Sequence, residues 1–337
     1  MATECPLVSI VVPAHNAEDT LERCLEACLS QTYPRTEVIV VDDGSSDGTA
    51  EIAGRVDVRC LRQLQRGPAA ARNHGAREAE GEFVAFTDAD CVPAPDWIGQ
   101  LMDGFEDGVA AVGGTYGIAN EESLLARMIH EEIRARHDRF ESEVDFLGSF
   151  NVVCRKEAFS EAGGFDEDFS AASAEDNDLA YRLAAAGWRL RFTPGATVAH
   201  YHPTRLWPYL NAQLRHGFWR VKLYAKHPVR ASRGDRYAGL GDLAAPGLAL
   251  VLLAMVLASP SVFAMPRWVL IAFMVCFVAL SAFYAAIRLP MSVRMVRRTG
   301  DLRMFEFGDV AVLRDIARGL GMIRGVWTFL ILRRATV

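Results

Sequence analysis

No Cys-x-x-Cys pair, no Gly-x-Gly-x-x-Gly run and no surplus of basic charge occur in this chain of 337 residues. Each absence removes a class of protein. The seven cysteines, at positions 5, 24, 28, 60, 91, 154 and 276, are odd in number and scattered, and the nearest pair, Cys24 and Cys28, stands at helical spacing. Such a set reads as reduced, buried thiols in a cytosol-facing protein, neither a disulfide framework nor a zinc site. Without the glycine fingerprint there is no dinucleotide-binding turn. With 36 Lys+Arg against 42 Asp+Glu the net charge is −6, so no nucleic-acid partner is expected. A secretory leader is also missing from the sequence pattern: Glu4 precedes a short apolar stretch, Leu7 to Val12, which Pro13 interrupts.

What is present in excess is apolar residues, at 51% of the chain, and they are unevenly spread. No charged residue occurs from Leu243 to Pro266 or from Trp268 to Ile287. Each run is long enough to cross a bilayer as a helix, which needs roughly 20 apolar residues. The break between them, 258–267, holds two prolines, and the pair reads as a transmembrane hairpin. Arg230, Arg233 and Arg236 precede it, Arg288, Arg294, Arg297, Arg298 and Arg303 follow it, and only Arg267 lies between. Positive residues stay on the cytoplasmic side, so a multi-pass protein of the inner or plasma membrane is expected, with both ends and the domain formed by the first 240 residues cytoplasmic. Residues 206–224 interleave Trp207, Tyr209, Phe218 and Trp219 with Arg215, Arg220 and Lys222, which suits a helix at headgroup depth. From Val310 onward a second amphipathic stretch carries Arg314, Arg318 and Arg324.

The first 200 residues alternate strands and helices. Val8–Val12 and Glu37–Val41 are β-branched runs of buried parallel strands, and Ala17–Leu29 has helical apolar spacing. Helices after Asp47 and over Ala69–Ala79, with strands at Val56–Leu61 and Phe83–Phe86, complete a βαβαβαβ order. That order implies an α/β fold with a doubly wound, mostly parallel sheet, whose ligands sit beyond the carboxyl ends of the strands. Polar constellations stand at those ends: Pro13-Ala-His15-Asn16, the run Asp42-Asp43-Gly-Ser-Ser-Asp47-Gly-Thr49, and Asp88-Ala-Asp90. Paired acids just past a buried strand suit a hard divalent cation that bridges phosphates.

Val8–Asn16, the run at 40–49, Arg72-Asn-His-Gly75, Gly81–Trp97 with its Asp88-Ala-Asp90, Gly148-Ser-Phe-Asn151, Gly163-Gly-Phe-Asp-Glu167 and Glu175-Asp-Asn-Asp-Leu179 together resemble the family 2 glycosyltransferases, over roughly residues 7–205. The resemblance implies a GT-A fold, a nucleotide-activated sugar as donor, Mg²⁺ or Mn²⁺ as cofactor and inversion at the anomeric carbon. By resemblance, Pro13, Asp43, Arg72, Asp88 and Glu175 bind the nucleotide-sugar, with Asp43 facing a uracil ring, so a UDP-sugar is favoured. Asp90, with Asp88 and His200, is the metal set. Asp176 matches the base that takes the acceptor's proton, Glu175 lies near acceptor or donor, and Trp188 is the acceptor platform. His15, Asp42 and Asp47 read as loop-holding residues, Asp178 as a helix residue, and Ser173 with Asp176 as a near-standard helix cap.

The expected organisation is a glycosyltransferase domain over 1–203, with a nucleotide-sugar half to about 115 and an acceptor half over 116–203. An interfacial segment follows over 204–240, then the hairpin over 241–288 and a basic, amphipathic C-terminal segment over 289–337. The expected activity is transfer of a single sugar to a lipid-linked or other cell-envelope glycan acceptor; the partners are donor, acceptor and membrane lipids, and a homo-oligomer is left open. Three alternatives meet obstacles. A processive polysaccharide synthase would show a Gln-x-x-Arg-Trp motif where Ala184–Arg189 stands, and more membrane helices. A nucleotidyltransferase would show a Gly-rich loop where Pro13-Ala-His-Asn16 stands. An inactive membrane scaffold would not need Asp43, Asp88, Asp90 and Asp176 together.

Overall fold

The computed structural model describes residues 5–229 and 240–332. The basic flank Arg230, Arg233 and Arg236 lies outside them. The chain falls into two compact units: residues 1–122 with 133–202, and residues 123–132 with 203–337.

The first unit is built on a sheet of eight strands in the order β3-β2-β1-β4-β7-β6-β8-β5. The strands are β1 (Val8–Ala14), β2 (Thr36–Asp42), β3 (Arg59–Arg62), β4 (Phe83–Phe86), β5 (Cys91–Pro93), β6 (Val109–Ile118), β7 (Val152–Arg155) and β8 (Arg189–His200). The helices are α1 (Leu21–Leu29), α2 (Thr49–Arg55), α3 (Pro68–Glu78), α4 (Trp97–Met102), α5 (Leu124–His137), α6 (Lys156–Glu161) and α7 (Glu175–Ala185). The run β3-β2-β1-β4 is parallel, β7 opposes both neighbours, β6 and β8 are parallel, and β5 opposes β8.

Two-sided burial explains why β1 and β2 read as unbroken apolar runs. Val8, Ile10 and Val12 of β1 and Val38 and Val40 of β2 join a core with Leu21, Cys24, Leu25 and Trp97 on one face. Val11, Ile39 and Val41 point the other way, into a core with Ala71, Phe86, Leu179 and Leu183. This is the period of two that a strand imposes. Helix α3 sits so close to the sheet that a Cβ at Gly75 would lie 2.3 Å from a methyl of Val11. Only glycine fits there.

The second unit is helical: α8 (Leu206–Lys226), α9 (Leu240–Val262), α10 (Arg267–Thr299) and α11 (Phe307–Val326), with the first part of α5. Two helices, Ala244–Val262 and Arg267–Thr299, are long and apolar enough to cross a membrane. Here the structure departs from the sequence reading in three places. First, the second hairpin helix runs on to Thr299 past the end of its apolar run, because Tyr284, Arg288, Ser292 and Met295 form a buried stripe at helical spacing while Pro290 stays exposed. Second, Arg314 is fully buried instead of facing headgroups: it pairs with Glu132 at 2.5 Å and Asp315 at 3.2 Å. Third, Tyr209 is buried, whereas Trp207 of the same helix is 72% exposed.

Helices α8 and α11 cross at glycines. A Cβ on Gly217 would stand 2.0 Å from the Arg318 carbonyl oxygen, and one on Gly321 would stand 2.0 Å from that of Leu214. Neither backbone can retreat without loosening the pair. Gly321→Ala is expected to cost about 1–3 kcal/mol, the usual range for overpacking. A lowered midpoint of thermal unfolding in detergent, compared with the open position Gly308→Ala, checks this.

Candidate functional site

The polar constellations converge where the fold places them, at the carboxyl ends of β1, β2 and β4, the end of β8 and the first turn of α7. Strand pairing does much of the assembly. Cys91 of β5 is opposite His200 of β8, so antiparallel register carries His200 to the Asp88-Ala-Asp90 turn. The Tyr201 N–H donates to the Asp90 carbonyl at 3.0 Å, which fixes the approach. His200 Nε2 lies 3.4 Å from Asp90 Oδ2, and its Nδ1 lies 3.1 Å from Nδ1 of His202. Burial alone would lower the affinity of His200 for a proton, but the charge and hydrogen bond of Asp90, with Asp88 behind, raise it. Asp90 shifts down in return, as His200 outweighs its burial.

The donor atoms of Asp90, Cys91 and His200 lie within 4.8 Å of one another. Sequence reading picked the first and third; Cys91 it passed over. Its thiol is wholly buried and pushed well up by that burial, so it stays protonated and is a poor ligand beside the carboxylate and the imidazole. One carboxylate and one imidazole, with the Asp90 side chain 45% exposed, fit a divalent cation that keeps positions for water or phosphate.

Asp88 is drawn away from that group. Arg72 NH2 donates to its Oδ1 at 2.6 Å, while Arg72 NH1 donates to Glu175 Oε1 at 2.9 Å. Arg72 is 1% exposed and Glu175 2% exposed. This corrects the reading of both residues as groups that touch the donor: each is inside the protein, holding the other. Burial works against the guanidinium charge, but Asp88 and Glu175 overcome it and hold the Arg72 proton above its usual range. Burial lifts Glu175 above the usual carboxyl range in spite of Arg72. The Phe165 ring lies under the guanidinium at 5.5 Å.

The cap of α7 lies one residue beyond the Ser173 that the sequence suggests. The N-cap is Ala174, in the left-handed region at φ 74°, without a side-chain cap bond. A residue with a Cβ pays of order 1–3 kcal/mol for that conformation, which persists only where the surroundings impose it. Glu175 Oε2 takes the Ser173 N–H at 2.6 Å in place of a cap. Asp176 is half-buried and accepts the Asn177 N–H at 2.8 Å. It lines a small cavity with Phe165, Leu147, Ser149, Val152 and Cys154. Asp178, as expected, is a helix residue, buried against Arg182 at 2.8 Å.

Pro13 ends β1, buried beside Val41 of β2. Asp43 is 3% exposed. Its Oδ1 accepts from Gln63 Nε2 and the Arg66 N–H, and its Oδ2 from the Gly67 N–H, all at 2.8 Å. Three of the carboxylate's four acceptor positions therefore hold the loop before α3, which sequence reading did not see. One on Oδ2 remains. His15, Asp42 and Asp47 do hold loop backbone: His15 contacts the Asp43 carbonyl, Asp42 takes the Ser45 N–H, and Asp47 takes those of Glu18 and Thr49. Trp188 is not brought to the group. It follows the carboxyl end of α7, about 13 Å or more along the helix from Asp176 by the rise per residue, and packs against the core of Leu179, Leu183 and Leu190.

Known proteins show the family and the fold. The pattern of glycosyl transferase family 2 matches residues 9–162. The chain is 33% identical over 239 residues to the pre-mycofactocin glycosyltransferase of Mycobacterium tuberculosis, covering 67% of this chain and 49% of that one. It thus spans about half the length of that relative. It is 31% identical over 245 residues to glycosyltransferase AglE of Haloferax volcanii, covering 66% and 76%. The fold is similar to that of the mannosyltransferase PcManGT from Pyrobaculum calidifontis, solved with GDP-Man and Mn²⁺, at a TM-score of 0.59 and 22% identity over 97% of this chain and 89% of that one.

Asp43→Asn places an amide NH₂ against a backbone N–H, whichever way the amide turns. A loss of about 1–3 kcal/mol is expected, the cost of an unsatisfied buried group. Thermal or urea unfolding without nucleotide reads it. An unchanged midpoint would mean that the three bonds carry no stability.

Proposed function

The chain belongs to glycosyl transferase family 2 and has a GT-A fold, and on that premise we propose that it transfers a single sugar from a nucleotide-diphosphate sugar, with inversion, to a lipid-linked acceptor at the membrane surface. The observation that carries the reading is the Arg72 bridge, which joins Asp88, beside the Asp90–His200 pair, to Glu175 in the first turn of α7, next to the candidate base Asp176.

In this reading Asp90 and His200 hold Mn²⁺ or Mg²⁺. The ion, when bound, neutralises the charge that grows on the departing nucleoside diphosphate. The chain's own residues do the rest. Pro13 and the remaining acceptor position of Asp43 border the base, and a uracil N–H suits that position. Asp88, 30% exposed at its side chain, faces the ribose side. Asp176 accepts the proton of the acceptor hydroxyl as its oxygen attacks the anomeric carbon from the face opposite the leaving group. PcManGT was solved with GDP-Man and Mn²⁺ and supports a nucleotide-sugar and a divalent cation, though not the choice of base.

The apolar helices Ala244–Val262 and Arg267–Thr299 support an anchor of two spans with the catalytic unit on the cytoplasmic side, given the basic residues from Arg288 to Arg303. The exposed Trp207, Leu313, Leu320, Ile323 and Trp327 support interfacial placement of α8 and α11. An enzyme so anchored meets a polyprenyl-linked acceptor in the plane where that acceptor lives.

Two measurements test the proposal. Asp90→Ala and His200→Ala should each lose turnover and the metal-dependent part of nucleotide affinity; full activity of wild type in excess EDTA refutes the metal role. For the acceptor, the full chain is assayed in detergent with a polyprenyl-phosphate-linked glycan and with its water-soluble analogue. Preference for the lipid form is expected, and equal rates on both would dispose of it.

A further inference from the structure

The buried pair of Arg72 and Glu175 has no task in transfer as described above, and neither does the left-handed backbone at Ala174. They adjoin. Glu175 is gripped at both oxygens: Oε1 by Arg72 NH1 at 2.9 Å and Oε2 by the Ser173 N–H at 2.6 Å. Ala174 lies between Ser173 and Glu175, at φ 74°. The second grip closes a small ring across that residue, and the first anchors the ring to the core. Arg72 in turn is fixed from behind by the Phe165 ring and from the other side by Asp88. Asp176, the next residue, takes its direction from the turn so formed.

From this we infer that Glu175 and Arg72 are positioning residues that touch neither substrate, and that their ion pair holds Ala174 in its strained conformation so that Asp176 faces the acceptor. The pair also ties the base-bearing turn to Asp88, on the donor side of the cleft. The same contacts explain why alanine is tolerated where glycine would be the easy choice: the conformation is imposed from outside by the Ser173 N–H bond and the Arg72 ion pair on Glu175. The inference rests on reading Asp176 as the base.

The chemistry gives a selective test. Glu175→Gln keeps the size but offers one acceptor, so either Arg72 NH1 or the Ser173 N–H faces another donor. Glu175→Asp keeps the charge beside Arg72 but is one methylene too short to reach both. Either variant should release residue 174 to an ordinary conformation and turn Asp176 aside. A displacement of about 1 Å in a catalytic group is enough for a 10²-fold loss. Glycine adopts the left-handed conformation without a grip, so Ala174→Gly in either background should restore much of the lost rate.

The full chain is purified in detergent, and the nucleotide-sugar is the one that turns over best in a screen of UDP- and GDP-sugars with Mn²⁺. Expected are a fall in kcat of about 10²-fold for Glu175→Gln and Glu175→Asp, unchanged KM for that donor, unchanged affinity for its nucleoside diphosphate with Mn²⁺, and recovery of kcat on adding Ala174→Gly. A parallel loss of donor affinity overturns the inference, because Glu175 then touches the donor. So does a double variant that keeps wild-type thermal stability but recovers no rate. Asp176→Asn runs beside them. If it turns over normally, the base assignment fails and this inference with it; if it is inactive while Glu175→Gln is not, only the inference fails.

Discussion

One guanidinium holds the catalytic unit's two acidic constellations together. Arg72 comes from α3, packed against the sheet through Gly75, and its two terminal nitrogens reach Asp88 after β4 and Glu175 at the start of α7. Two carboxylates this close would repel, and a charge this deep is costly without partners. Buried together they are mutually required. Arg72 also illustrates why arginine and not lysine is needed: a planar fork serves two acids at once, where an ammonium would serve them as a point. Removing any one member strands the others, so the arrangement is specific even if its net stabilisation is small.

The charges near the carboxyl ends of the strands are mostly negative, and each acid has a partner. Asp43 spends its charge on the Arg66 and Gly67 N–H groups and the Gln63 amide. Asp88 and Glu175 share Arg72. Asp90 is left with His200, whose raised proton affinity shows how strong the local negative field is. In the proposed reading a divalent cation held by Asp90 and His200 would put a larger charge in the place of that proton and let a diphosphate approach an otherwise repellent surface.

The sheet was legible because β1, β2 and β4 are buried on both faces, which leaves uninterrupted β-branched and aromatic runs, and because α1 shows its apolar stripe directly. Positions of Asp43, Asp90, Asp176 and His200 at strand and helix ends followed from that order. Partnerships did not. Arg72 and Glu175 are 103 residues apart, and nothing local in either segment announces the pair, so side chains that face each other inside the protein looked like side chains that face a ligand. Motif residues such as Asn73 and Asn151 were similarly opaque. Asn73 bonds Phe165 through both its oxygen and its nitrogen, and Asn151 holds Trp97, Thr115 and Ala196. In the helical unit, hydropathy located the apolar helices but not the end of α10, which is set by packing of Arg288, Ser292 and Met295.

The three acids in the first turn of α7 show how one short segment divides its labour. An α-helix turns about 100° per residue, so Asp176 points well away from Glu175, while Asp178, three residues on, comes back to within about 60° of it. Glu175 meets Arg72 inside the unit, Asp178 meets Arg182 one turn on and is wholly buried, and Asp176 is left on the side that lines the cavity with Phe165 and Leu147. Acids in a first turn are favoured by the helix dipole whatever their task, which is why sequence alone could not rank them. Their fates differ in burial: Glu175 and Asp178 are held inside by Arg72 and Arg182, and Asp176 is half-buried. The role proposed for Asp176 needs an open side through which a hydroxyl can approach, and of the three it is the one not fully buried.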